Sequence, residues 1–426
     1  MKLKRLAVAV PAGAFMIGVC FMSHTTSAQD SAASRKKPPA KTARPVRSDP
    51  ANDLVTAQIK LGLDIFREIV DQQPGNNVFI SPLSINLALL MAHHGAAGKT
   101  KEEIGRTLGI GGQSEQTIRQ SLSVFKEFSK NKKTGVDISI ANSFWIRKEI
   151  PLQQTFIETA LGLYNAEVES LRFDDPGAFA TINSWVSKKT KQKITQIMGT
   201  IDQNAAAFIL NAVYFKGQWS AQFDPGATRI KSFMLGNGTK KSHPMMFQSG
   251  SYSYYENERM QAALIPYEEG RIGMIIFLPK DNVSLAELYK NLDARHWKEW
   301  LSRFNDRNGA IILPRFKMEY AVRLDGILKT RGMNDAFDHD KADFKNMVMP
   351  IKQWKFWIQE VKHKTFIKVN EEGTQAAAAS YVAASLGESD HPQPFSMIVN
   401  RPFFFAIEDN KTGILLFLGS ITDPNE

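Results

Sequence analysis

The chain has 426 residues with 53 Lys or Arg, 43 Asp or Glu and a single cysteine, for a net charge of +10. One thiol cannot close an internal disulfide or supply a cysteine metal cluster, which excludes small stapled folds and zinc-ribbon modules. Nor does the charge argue for nucleic acid: nine basic residues against Asp30 and Asp49 put +7 before Asp53, and the body beyond, at +3, has no groove pattern of basic and aromatic residues.

Taken in order, residues 1–28 read as an export signal. Lys2, Lys4 and Arg5 form a positive start, an apolar run extends from Leu6 to about Met22, and Thr26-Ser27-Ala28 precedes a cleavage at Gln29. Two other readings stand beside it. A membrane anchor would have to span with ~17 apolar residues interrupted by Pro11, and a lipid on Cys20 would follow Val19, a poor residue in that place. Export predicts an extracellular or periplasmic protein, free or tethered through its N-terminal segment. Residues 29–52 are rich in Ser, Ala, Pro and Lys with no apolar period, so they predict a disordered linker. Residues 53–426 show no repeat and no composition break, and predict one large domain.

Within that body, Ile59, Leu63, Phe66 and Ile69 recur at helical spacing. A second helix follows "VFISP", capped by Ser81 with Pro82 in its first turn, apolar through Leu83–Met91 and stopping at Gly95. Because it is apolar almost all round, it predicts an interior helix. "TINSWVSKKTKQKITQIM" predicts an amphipathic helix over 181–198, with Ile182, Trp185 and Val186 on one side. Beyond it the texture is that of strands: "AAFILNAVYFKG", "QAALIPYE", "RIGMIIFLPK", "GAIILPRFKMEY", "KFWIQEVKHKTFIKVN", "FSMIVNRPFFFAIED" and "ILLFLGSITD". Helices in the first half and strands in the second predict an α+β fold.

Catalytic and cofactor signatures are weak. In "HHGAAGKT" the glycines 95 and 98 stand too close for a phosphate-wrapping loop, so a helix end and turn are expected. Adjacent His93 and His94 point about 100° apart on a helix and cannot share one ion. There is no Gly-x-Ser-x-Gly elbow. No enzyme activity, cofactor or metal is expected.

The segment "NEEGTQAAAAS" (370–380) is unusual among strand formers. As a strand it would place Thr374, Ala376, Ala378, Ser380 and Val382 on one face, all small or β-branched; on local propensity alone its alanines favour a helix. Its context decides. The blocks "NNVFISPLSINLALLMAHHGAAGKTKEEI", "INSWVSKKTKQKI", "LNAVYFKGQW", "LPRFKMEYAVRLDGILKTRGMNDAFDHDKADF", "KVNEEGTQAAAAS" and "NRPFFFAIEDNKTGILLFLGSITDP" follow one another across the body, and the body, Asp53–Glu426, resembles the serpin family from end to end.

That resemblance implies the serpin fold, three β-sheets with eight to nine helices and an exposed C-terminal reactive loop, about 371–395. It implies a suicide-substrate inhibitor: a serine protease attacks the loop, and the cleaved loop enters the main sheet as a new strand, trapping the acyl-enzyme. Some 12–15 new backbone pairs at ~0.5–1.5 kcal/mol each amount to about 10 kcal/mol, so the native state must be a kinetic trap. Carried over by residue, the hinge is Glu371, Glu372, Gly373, Thr374, Gln375, Ala376, Ala377, Ala378 and Ala379. Ser84, Asn211 and His363 match the hydrogen-bonded shutter where strands must part, and Trp219 matches the tryptophan under the loop's entry. Read alone, Ser84 is a helix residue, His363 a satisfied core histidine and Trp219 a packing residue.

Family spacing places the attacked carbonyl at Gly387, before Glu388, with the Leu386–Gly387 bond as the alternative. Leu386 suits a chymotrypsin-like pocket, whereas Ala383, Ala384 and Ser385 suit an elastase-like one; the absence of Lys or Arg argues against trypsin-like targets. The expected partner is thus a serine protease held covalently, with a cysteine protease as a further candidate, no nucleic acid, and the inhibitor itself a monomer. A non-inhibitory binding or chaperone role is the other reading, disfavoured by a hinge free of charge and proline from Thr374 to Ala379. Lys126, Lys130, Lys132 and Lys133 form either a polyanion site or a solvated turn.

Overall fold

The computed structural model describes residues 51–119, 122, 125, 136–349, 355–372 and 393–425. The expected signal, Cys20 and almost all of the linker lie outside these residues, as do Lys126, Lys130, Lys132 and Lys133. Helix α1 (Ala51–Gln72) already includes the last two residues read as linker. It turns Leu63, Phe66 and Ile69 inward, and Gly62 lets it approach the next helix, since a Cβ there would lie 2.5 Å from Pro82. After β1 (Val78–Ile80) comes α2 (Pro82–Gly95), whose N-cap Ser81 accepts a hydrogen bond from Ser84 N–H. Polar and apolar residues alike are buried along α2, as its pattern predicts.

The chain continues through α3 (Gly98–Thr107), β2 (Val136–Arg147), α4 (Gln154–Tyr164), β3 (Glu167–Leu171), α5 (Ala178–Lys189) and β4 (Ala207–Gly217). Strands β5 (Arg229–Met234), β6 (Lys240–Glu256), β7 (Met260–Pro266) and β8 (Ile272–Pro279) precede short helices α6 (Leu285–Lys290) and α7 (Ala294–Ser302). Then come β9 (Asn305–Pro314), β10 (Phe316–Arg323), α8 (Asp325–Thr330), β11 (Ile358–Val369), β12 (Phe395–Ile398), β13 (Phe403–Asp409) and β14 (Leu415–Ile421).

One sheet has the order β10-β11-β4-β2-β3. The other strands form a network, β1-β14-β13-β8-β7-β6-β9-β12 with β5 also on β6. Long β6 gives Met245–Tyr254 to β9 but only its last residues, Ser253–Glu256, to β7, so it joins two smaller sheets. The expected three-sheet α+β architecture is thereby met.

Three local expectations are corrected. The helix expected over 181–198 ends at Lys189, because Lys191 and Gln192 take positive φ (52° and 61°) and Thr190 closes the turn through its hydroxyl. "GAIILPRFKMEY" is two strands parted at Arg315, each in a different sheet. Finally, β2 and β3 lie in the first half of the chain and α6, α7 and α8 in the second, so segregation of helices from strands is only partial.

Candidate functional site

In the five-stranded sheet, β11 runs parallel to β4, in register from Val361 opposite Ile209 to Ile367 opposite Phe215. Its other edge pairs antiparallel with β10. The chain leaves β11 at Val369 and passes through Asn370, Glu371 and Glu372 into residues 373–392, returning as β12. Two sets of side chains lie along the β4–β11 seam, one bridging it at its middle and one at the end where this segment departs, where Trp219 reaches across from β4 and Arg315 holds Glu371 from the β10 side.

At the middle, His363 of β11 faces Asn211 of β4, and Asn211 faces Asn142 of β2. Ser84 reaches the same point from α2. The Asn211 amide donates to Ser84 Oγ and Asn142 Oδ1, and Ser84 Oγ donates to Asn142 Oδ1 at 3.3 Å. His363 bonds to Asn211 Oδ1 through Nδ1, while Ser81 N–H donates to its Nε2 at 2.9 Å. A backbone N–H can only donate, so Nε2 must be bare and Nδ1 must carry the proton. The imidazole is fully buried, and that burial pushes its pKa from 6.5 down to about 3.

At the departing end, Trp219 sits just past β4, buried, with its ring stacked 4.4 Å from Tyr267. Its Nε1–H donates to the Asn370 carbonyl at 2.9 Å. Glu371 is 5 % exposed and takes three bonds from Arg315, two from Nε at 2.8 Å and one from Nη2 at 2.7 Å. Thr228 Oγ1 donates to it as well. Burial alone would raise the Glu371 pKa, but the bonds from Arg315 and Thr228 outweigh it and hold the carboxyl below its usual range. A cleft of about 510 Å³ opens beside this clamp, lined among others by Pro225, Lys317, Lys368 and Glu372. On the solvent face Lys317 lies directly opposite Lys368, and exposed Lys216 stands one residue past the last seam pair on β4.

The structure thus brings Ser84, Asn211 and His363 into one cluster, and Trp219 and Glu371 to either side of Asn370. Glu372 is exposed. Gly373, Thr374, Gln375, Ala376, Ala377, Ala378, Ala379, Leu386, Gly387 and Glu388 lie outside the described residues. Sequence reasoning missed Asn142, Ser81 as a histidine partner, Thr228, Arg315 and Tyr267. An asparagine inside "SIANSFW" and a lone arginine between two strand patterns in "LPRFK" were the available signals. Among the described residues no group of three His, Cys, Asp or Glu is placed to hold a metal.

Comparison with known proteins identifies the family and the fold. The family model described as Serpin (serine protease inhibitor) matches residues 56–424. Human Serpin B8 is 33 % identical over 383 residues, covering 88 % of this chain and 100 % of its own length. Human neuroserpin is 32 % identical, covering 85 % of this chain and 90 % of its own. Among solved structures, native protease nexin-1 with heparin superposes with a TM-score of 0.80 at 27 % identity, over 88 % of this chain and all of the other. The thermophilic serpin Tengpin in its native state gives 0.79 at 28 %, over 89 % and 95 %.

Proposed function

The chain belongs to the serpin family, whose members are generally protease inhibitors, and on that premise we propose that it is a suicide-substrate inhibitor of chymotrypsin- or elastase-like serine proteases. One observation carries the reading: the parallel β4–β11 pair borders the departing segment. A parallel ladder has slanted, slightly weaker bonds than an antiparallel one. A strand running back from the end of β11 between the two would be antiparallel to both, replacing one parallel ladder by two antiparallel ones. The segment after Glu372, with its small-residue run Ala376 to Ala379, is attached where such a strand would have to begin.

In this reading a protease cleaves at Gly387, or one bond earlier after Leu386. The freed hinge lets go of Arg315 and turns in between β11 and Trp219, and the cluster at His363 and Asn211 gives way as β4 and β11 part. The native chain holds back that gain by keeping both sites closed, so it is kinetically rather than thermodynamically stable. Residues 1–28 would direct the chain out of the cytoplasm, where it would meet its protease. Mixing the protein with chymotrypsin-like and elastase-like proteases and running denaturing gels tests this. A band near the summed masses is expected, and sequencing the released fragment identifies the cleaved bond. Cleavage with every protease left active overturns inhibition of these classes and favours a binding or chaperone role.

A further inference from the structure

We infer that His243 is a positioning residue for the clamp on Glu371, and through it for the start of the reactive loop; the inference rests on the inhibitory reading above. Arg315 is the one residue between Pro314, the end of β9, and Phe316, the start of β10. It therefore sits where the chain crosses from the large network into the five-stranded sheet. Strand β6 holds its backbone on both sides. Arg315 N–H donates to the Pro244 carbonyl at 3.1 Å, and the Arg315 carbonyl lies 2.6 Å from His243 Nε2. A carbonyl only accepts, so the imidazole must carry its proton on Nε2 and donate.

With both peptide groups fixed, the Arg315 side chain leaves toward the loop at a set angle and meets the Glu371 carboxylate with Nε and Nη2. Such a forked contact depends on direction as much as on charge. His243 is 3 % exposed, so water cannot readily take its place at the Arg315 carbonyl. The charged groups near it belong elsewhere. Lys231 lies opposite on β5, and Lys241, two residues back on β6, is held by Asp423. Nothing in the sequence pattern marked this histidine: its role exists only where β6 meets the junction of β9 and β10.

Replacing His243 by valine leaves the Arg315 carbonyl without its donor and frees the guanidinium to swing, which loosens the first residue of the loop. The test is a double-mutant cycle on the full chain, His243→Val against Glu371→Gln, read by two measures. One is the rate at which intact protein loses trapping activity on standing; the other is the thermal midpoint, which needs no protease. H243V alone is expected to lose activity about fivefold faster, and the same change on an E371Q background by less than about twofold, because coupled groups are not additive. H243Q, which keeps a donor, is expected to recover most of the wild-type behaviour. If H243V folds poorly, H243N, too short to reach the carbonyl, takes its place in the cycle. Additive effects of His243 and Glu371, or wild-type behaviour of both H243V and H243N, overturn the proposal. If the wild type traps no protease, the inhibitory reading fails while the thermal cycle still decides whether His243 acts through Glu371.

Discussion

The two sites along the β4–β11 seam, at its middle and at its departing end, are built from opposite materials. At the middle, five residues from α2 and three strands share neutral hydrogen bonds in a fully buried site, with no charge anywhere in the cluster. At the departing end the bonds are charge-assisted, between Arg315 and Glu371, and lie beside stacked rings and an open cleft. A buried neutral network is costly to leave half satisfied, so it opens all at once or not at all. A half-open ionic clamp is screened by salt and can loosen stepwise. The seam is thus stiff in its centre and graded at its mouth, which is the order a strand entering from the mouth would need.

The largest expected effect is at the centre. His363→Ala leaves the Ser81 N–H and the Asn211 side-chain Oδ1 without their histidine partner in a dry site, at a cost of about 3 kcal/mol; urea melts of wild type and variant measure it, and an unchanged midpoint would contradict the comparison. Acid probes the same residue. The unfolded chain takes up a proton here below pH 6.5, while the folded one stays neutral down to about pH 3. Stability is therefore intact above pH 6.5 and drains as pH falls, by about 1.4 kcal/mol per pH unit for one proton. His93, lowered to about 4 by burial, acts in the same direction, so the measurement is the difference in slope between wild type and His363→Gln. At the mouth, Glu371→Gln is expected to cost about 1–2 kcal/mol, and more at low than at high salt. A salt-independent loss would remove the distinction between the two sites. The smallest change is a gain. Lys368→Glu places opposite charges across from Lys317 and beside Lys216, worth about 0.5 kcal/mol and erased by salt.

Much of this arrangement could be read from residues alone, and the parts that could not share a cause. Interior α2 was visible because it is apolar on every face, whereas the hinge expected from the four alanines lies, beyond Glu371 and Glu372, outside the described residues. Strand β2 was not visible, because its pattern changes midway: Val136 to Ile140 is half-buried throughout, whereas Ala141 to Arg147 is buried at every position. That second half is covered by α5, with Ala141 packed near Val186 and Trp145 near Ile182, so neither a period of two nor a simple apolar run describes the whole. Asn142 was lost with its strand. Arg315, Thr228 and Glu371 are likewise partners across 56 and 143 positions of chain, and no local spacing brings them together.

Trp219 has an optical consequence. Its indole N–H is tied to the Asn370 carbonyl and its ring lies flat on Tyr267, 4.4 Å away. Any rearrangement that lifts Asn370 from that nitrogen changes the polarity around the excited indole and hence the colour and yield of its emission. With the six other tryptophans of the chain replaced by phenylalanine, the protein would carry a built-in fluorophore at the mouth of the seam, and the timing of the proposed strand entry could be followed in a stopped-flow cell without attaching a dye.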